Sequence, residues 1–238
     1  MMNNLTSANK AGYSFSGLSG SALKVIALVS MLADHSAYYL LEHGTSLYEA
    51  MRCFGRIAFP VFAFLIAEGF AHTRNKLRYF LTLLGFAVVS EVPWFLLNGA
   101  DGTHNVMFTL AFGVVTLATF EKLKGNSIQC MCAIFYIAYL STWLEVDYEW
   151  KGILIIVIFY LLGTVKRQPF YLRKLVQLSC VLPIMVSYGI LGTLLAYSTI
   201  LLYDGTRGMV NNNVLKYGFY IFYPAHLIAL FLYKAAVC

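Results

Sequence analysis

Residues 22–41 read ALKVIALVSMLADHSAYYLL, with Lys24 near the start and the neighbours Asp34 and His35 in the second half. A helix that crosses a bilayer needs about 20 mostly apolar residues, so this stretch predicts a membrane span. Ionisable groups at such depth cost roughly 2.5–3.5 kcal/mol each on insertion scales. They usually face a protein interior or a wet cavity and carry function there. A hydrogen bond that merely packs helices is the plainer reading of the pair; a substrate, ion or acyl-group site is the reading taken forward.

The rest of the chain has the same character. Charged residues make up 12% of the 238 residues, half of the ~25% usual in soluble domains, which places the protein in the membrane class. One membrane domain, residues 22–238, uses the length and leaves no room for a separate soluble catalytic domain. Residues 1–21, rich in Asn, Ser and Gly, read as a flexible cytoplasmic tail without a cleavable signal. The net charge of +6 raises nucleic acid as a partner. The basic residues, however, are scattered between apolar runs, as in cytoplasmic loops of membrane proteins, so the lipid bilayer is the expected surrounding and no nucleic acid is expected. The five cysteines, an odd number, include Cys130-x-Cys132, which has neither zinc-finger nor redox spacing. They read as packing residues.

Further apolar runs follow at about 55–71, 79–97, 105–120, 128–144, 152–165 and 219–236. The run 175–203 is longer than one helix needs and has a candidate break at Ser187-Tyr188-Gly189, with one long tilted helix as the competing reading. Reading it as two short spans makes nine. With the N-terminus in the cytoplasm, the inner segments then hold Lys10, Lys24, Arg74, Lys76, Arg78, Lys122, Lys124, Lys166, Arg167, Arg173, Lys174, Arg207 and Lys216. Arg52, Arg56, Lys151 and Lys234 fall outside, an asymmetry that orients the protein. A single helix over 175–203 would put its two flanking basic loops on opposite faces. The expected architecture is an all-α transmembrane bundle of about nine spans with a cytoplasmic N-terminus.

At about 1.5 Å rise per residue, Asp34, His35, Glu91 and His226 share one layer, provided that spans one, three and nine are neighbours. Arg56 lies near the outer boundary and Glu68 toward the cytoplasm. Histidine changes charge near neutral pH and suits a base inside a membrane. Neighbouring residues on a helix point roughly 100° apart, so Asp34 need not touch His35. Zinc would accept His35, His226 and a carboxylate, but no ligand spacing supports a site and no metal is expected. Chains of Asp, Glu and His also relay protons in transporters, which keeps a proton-coupled carrier as the alternative. A membrane scaffold for surface-structure assembly, with the polar layer only packing helices, is a third.

The segments LKVIALVSMLADH, GRIAFPVFAFLIAEGFAHTR, RYFLTLLGFAVVSEVPW, NVMFTL, LLYDGTRG and KYGFYIFYPAHL resemble, in that order, the TraX family of integral membrane proteins. That family takes its name from a conjugation protein that acetylates the N-terminus of pilin. It is distantly similar to the transmembrane acyltransferases, whose first-span histidine is held to be essential and follows a basic residue by about eleven positions. Lys24 and His35 match that arrangement. The resemblance implies a multi-pass protein of the bacterial cytoplasmic membrane. It would take acetyl-CoA from the cytoplasm and acetylate an amine or hydroxyl acceptor. It implies His35 as base or transient acyl carrier, Asp34 as its tuning partner and Lys24 against the coenzyme phosphates. Arg56 and Glu91 would shape the channel or acceptor side. Glu68 and His226 join the candidate substrate- or cofactor-binding set, with no role assigned to His226.

Overall fold

The computed structural model describes residues 17–164, 169–209 and 213–237. Lys10, Lys166, Arg167, Cys238 and the expected tail up to Ser16 lie outside the described residues. Ten α-helices follow in chain order among the described residues. They are α1 Gly20–Leu40, α2 Ser46–Gly55, α3 Ala58–His72, α4 Lys76–Asn98, α5 Val106–Leu123, α6 Ser127–Trp143, α7 Glu149–Gly163, α8 Phe170–Met185, α9 Ile190–Leu201 and α10 Asn213–Val237. Among the described residues, extended pairing is confined to two isolated bridges, so the fold is all-α.

The first helix is tied to a distant loop. Ser19 adopts extended backbone and its Oγ accepts from Ala22 N–H at 3.3 Å. The N–H groups of Gly20 and Ser21 donate to the carbonyls of Thr206 and Arg207 at 2.8 and 3.2 Å. Donors that a helix start leaves orphaned are thus satisfied from the other end of the chain. The sequence DGTRG makes this possible. Asp204 Oδ1 accepts from both the N–H and the hydroxyl of Thr206 at 2.7 Å, which holds its carboxyl below the usual carboxylate range. Gly208 has φ +73°, and a Cβ there would lie 2.3 Å from Ser19 Oγ. Only glycine fits that approach.

Between α1 and α3 lie residues 42–55, EHGTSLYEAMRCFG, the stretch that separates the first two apolar runs. Thr45 Oγ1 accepts from Tyr48 N–H at 3.3 Å and starts α2, with Glu49 in its first turn and Arg52 in its last, the signs a helix dipole favours. The segment is polar enough to read as a loop, yet it is a ten-residue helix. The sequence Ser46-x-x-Glu49 carries the signal of a helix start, one residue off the cap that forms.

At the centre of the bundle is α3. Val61, Ala63, Phe64 and Phe70 are buried, and the helix packs against α1, α5, α7 and α9. Pro60 falls in its first turn, where a missing N–H removes no helical bond. Around α3, α10 lies against both α1 and α4, so the three helices whose proximity the polar layer required are brought together. The run 175–203 divides where expected: α8 ends at Met185, Val186–Tyr188 form a short 3₁₀ turn, and Gly189 has φ +118°. The two helices run antiparallel, because Lys174 at the start of α8 donates to the carbonyl of Leu201 at the end of α9 at 3.2 Å. The segments flanking this hairpin therefore lie at one end of the bundle.

Apolar side chains also cover the outside. Leu81, Val88, Val92 and Phe95 line an exposed face of α4, and Ile128, Met131, Phe135 and Tyr139 line one of α6. Exposed apolar surface of this extent marks lipid contact. Among the described residues, four helical segments are long and apolar enough to cross a membrane: Ser46–His72, Lys76–Asn98, Val106–Leu123 and Leu215–Val237. Others are shorter; α9, with twelve residues, covers about 18 Å of a hydrocarbon core of about 30 Å.

One close helix approach gives a test. A Cβ on Gly192 in α9 would lie 2.3 Å from Arg56 Cβ and 2.7 Å from the Cys53 carbonyl oxygen. Gly192→Val is expected to lower stability by about 1–3 kcal/mol through overpacking, read as a lower melting temperature in detergent. An unchanged melt would refute this packing of α9 on α2.

Candidate functional site

Asp34 and His35 sit about four turns into α1 and leave it in different directions, as adjacent helical residues must. Asp34 faces α2. Its Oδ2 accepts from Arg52 Nη1 at 2.6 Å, with 18% and 19% of the two side chains exposed. Room for the carboxylate comes from Gly55, where a Cβ would lie 2.2 Å from Asp34 Oδ1. One turn earlier, Ser30 Oγ donates to the carbonyls of Phe54 and Gly55 at 2.8 and 3.0 Å, fixing the end of α2 on α1. Asp34 Oδ1 is buried without a partner among the described residues.

His35 faces α10. Its Nδ1 lies 2.7 Å from His226 Nε2, and the two rings are within 11° of parallel. His226 is 5% exposed, and its Nδ1 lies 2.9 Å from the Phe222 carbonyl oxygen one turn back. The rings of Tyr39 and Tyr223 stand edge-on to His35 at 6.1 and 6.3 Å. Tyr39 donates from its hydroxyl to Asn98 Oδ1 of α4 at 3.0 Å, closing the third side. Pro224 precedes His226 by two residues and Pro93 follows Glu91 by two. Each removes a helical N–H at the depth of the site.

Glu91 reaches the same region but turns to a different partner. Its Oε2 accepts from Asn105 Nδ2 at 2.6 Å and its Oε1 contacts His104 Nδ1. Between the two pairs stands Tyr223, 2% exposed, with its hydroxyl buried and unpartnered among the described residues. Its charged neighbours include Glu91 and Asp147. Of the four residues expected to share a layer, His35 and His226 pair with each other, while Glu91 pairs with His104 and Asp34 with Arg52. Arg56, packed under Gly192, makes no ion pair within 4 Å among the described residues; Asp34 and Asp147 both feel its charge.

Four residues of this region escaped the sequence reading: Arg52, His104, Asn105 and Asp147. Asp147 sits in the loop after α6, where Glu145, Tyr148 and Glu149 all have positive φ, at 50°, 64° and 44°. Such backbone is rare outside glycine and asparagine and persists only when its surroundings hold it. Here Asp147 N–H donates to the His104 carbonyl at 2.9 Å, the Thr109 hydroxyl donates to the Asp147 carbonyl, and Tyr148 stacks on Phe59 at 3.6 Å between centroids. Burial pushes the Asp147 carboxyl up to about 7; the Tyr148 N–H and the two arginines oppose this, while Asp34 adds to it.

At the opposite end, Lys24 lies over the Phe219 ring at 5.4 Å, with Arg207 and Lys216 as its charged neighbours. The loop that caps α1 fixes the Arg207 backbone there. Glu68 belongs to this end too. His72 Nδ1 is 4.0 Å from its carboxylate, and Arg173 and Lys174 act on it. Lys24 and His35 are eleven residues apart on one helix, roughly 16 Å along its axis.

Long apolar helices, apolar outer faces and ionisable pairs enclosed between α1, α4 and α10 define a multi-pass membrane protein with a polar site inside the helix bundle. The chain belongs to the TraX protein family, with the match running over residues 19–234. It is 30% identical to the probable fimbrial assembly protein FimC, serogroup H1, of Dichelobacter nodosus, over 87% of this chain and 92% of the relative. It is also 28% identical to an uncharacterized protein of Rickettsia prowazekii (strain Madrid E), over 58% of this chain and 52% of that one. No solved structure matches.

Two measurements check this geometry. Between about pH 4 and 7 the folded protein keeps a proton on Asp147 that the unfolded chain has lost, so its contribution to stability falls as pH rises through that window and levels above it. Asp147→Asn should remove that slope, so melting curves of variant and wild type diverge between pH 4 and 7; parallel curves would refute the assignment. For the ion pair, Arg52→Leu should cost about 1–3 kcal/mol by stranding Asp34. Asp34→Asn with Arg52→Leu should cost less than the sum of the single changes. Additive losses would mean that the pair contributes nothing.

Proposed function

We propose that the protein is a membrane acetyltransferase of the bacterial cytoplasmic membrane. It crosses nine times with its N-terminus inside, and carries acetyl from acetyl-CoA to an amine or hydroxyl acceptor. The observation that carries this reading is the placement of Lys24 and His35 on one helix, eleven residues apart, with cations around the first and a second histidine against the other. Lys24, Arg207 and Lys216 offer three positive charges to the phosphates of the coenzyme, each as a point charge or a fork. An extended pantetheine arm reaches from such a cluster to a thioester beside His35, a span comparable to the roughly 16 Å between the two residues. His35 then acts as the base.

On the other side of His35, Arg56, Asp147 and the Glu91–His104 pair line the approach of the acceptor. Glu68 stays with the coenzyme end. The name of the Dichelobacter relative ties that protein to fimbrial assembly, which makes the terminal amine of a fimbrial subunit the first acceptor to try. Antiparallel α8 and α9, with their basic flanks at one end, support the nine-crossing arrangement.

Purified protein in detergent should bind acetyl-CoA more tightly than ATP. Lys24→Ala or Arg207→Ala should each weaken binding by about tenfold, the worth of one charge-assisted contact. His35→Ala should keep binding and lose acetyl transfer to a peptide amine. A folded wild type that binds no acetyl-CoA would sink the proposal, and proton-coupled flux in liposomes would then identify a carrier.

A further inference from the structure

A base must present a lone pair, and an imidazole has two nitrogens of which only one is free in the neutral ring. Which one is free is set by what the other touches. The contacts here form a one-way series. The Phe222 carbonyl can only accept, so His226 Nδ1, 2.9 Å away, carries a hydrogen. Neutral His226 therefore has its lone pair on Nε2. That nitrogen lies 2.7 Å from His35 Nδ1, so His35 Nδ1 must donate. The hydrogen of neutral His35 is then on Nδ1, and its lone pair is on Nε2.

We infer that His226 is a positioning residue that fixes the tautomer and ring plane of His35, leaving His35 Nε2 as the reactive base. The catalytic meaning of this rests on the proposed acetyl transfer; the tautomer itself does not. In catalytic triads a carboxylate holds the histidine from behind. Asp34, next in sequence, does not fill that place, because its Oδ2 is taken by Arg52 on another face of α1. A neutral histidine backed by a carbonyl does the same orienting without a second buried charge, which costs far less in apolar surroundings.

The transfer then balances through one nitrogen. As the acceptor nitrogen attacks the thioester carbonyl, a C–N bond forms and the acceptor proton passes to His35 Nε2. The C–S bond breaks, its electron pair goes to sulfur, and His35 Nε2 returns the proton to give the free thiol. His226 accepts the Nδ1–H hydrogen bond throughout and exchanges no proton.

The test is nitrogen NMR on full-length protein labelled with ¹⁵N-histidine in detergent, with the His35 signals identified by their loss in His35→Ala. Wild type should show His35 protonated at Nδ1 and bare at Nε2, with a coupling across the hydrogen bond to His226 Nε2. His226→Gln places an oxygen acceptor near the same point and should keep the pattern. His226→Phe fills the volume without an acceptor and should release His35 to the other tautomer. Acetyl transfer should follow, within about tenfold of wild type for Gln and down about 100-fold for Phe, with acetyl-CoA affinity unchanged in both. A wild-type His35 protonated on Nε2, or a pattern unaltered in His226→Phe, would overturn the inference, and the wild-type spectrum decides even if a variant misfolds. If the tautomer behaves as expected and no variant or wild type transfers acetyl, the positioning stands and the acetyltransferase reading fails.

Discussion

Two polar residues in succession on an apolar helix impose a geometric demand. Each needs a partner, and the helix sends them about 100° apart, so no single neighbour can serve both. Here α2 meets Asp34 through Arg52, and α10 meets His35 through His226. Much of the architecture follows. The short α2 has to lie on α1 closely enough for its arginine to reach, which requires Gly55 and the bonds from Ser30. The last helix has to lie against the first, which brings α4 in behind it. The bundle is arranged as much by where buried polarity must end as by where apolar faces can pack.

That arrangement also separates two chemical regions. Cations collect where α1 starts, held by a loop whose carbonyls cap that helix. Histidine, carboxylate and tyrosine groups collect where α1, α4 and α10 meet. Inside a membrane such a division is costly unless each group is paired or can meet a ligand. Among the described residues, Asp34 Oδ1 and the hydroxyls of Tyr197 and Tyr223 are the buried side-chain atoms that lack a protein partner, and Tyr223 belongs to the second region.

Much of this was legible in the residues. Helix periods are long and apolar, so the helices show as runs of hydropathy, and Gly189 after Ser187-Tyr188 marked the break in 175–203 because glycine alone takes φ +118° easily. The depth of Asp34, His35, Glu91 and His226 followed from counting residues along helices. What counting does not give is the rotation of each helix, and rotation decides partners. Glu91 therefore went to His104 rather than to His35, and Asp34 to Arg52. Arg52 was hidden because α2 is polar by composition, and hydropathy hides a helix that lies at a boundary. Asp147 was hidden because nothing local announces three left-handed residues in Glu145–Glu149; the fold around the loop imposes them.

The bond between His35 and His226 joins positions 191 residues apart, and the cap of α1 is completed by a loop almost as distant. A ribosome delivers α1 well before α10. The Asp34–Arg52 pair joins residues only 18 apart and is available as soon as the second helix emerges, whereas His35 waits for α10. During that wait, the histidine's Nδ1 and the first N–H groups of α1 must be served by water, by lipid headgroups or by an insertion chaperone. The histidine pair therefore forms after the first helices are in place, and a chain halted before α10 would carry those helices without it.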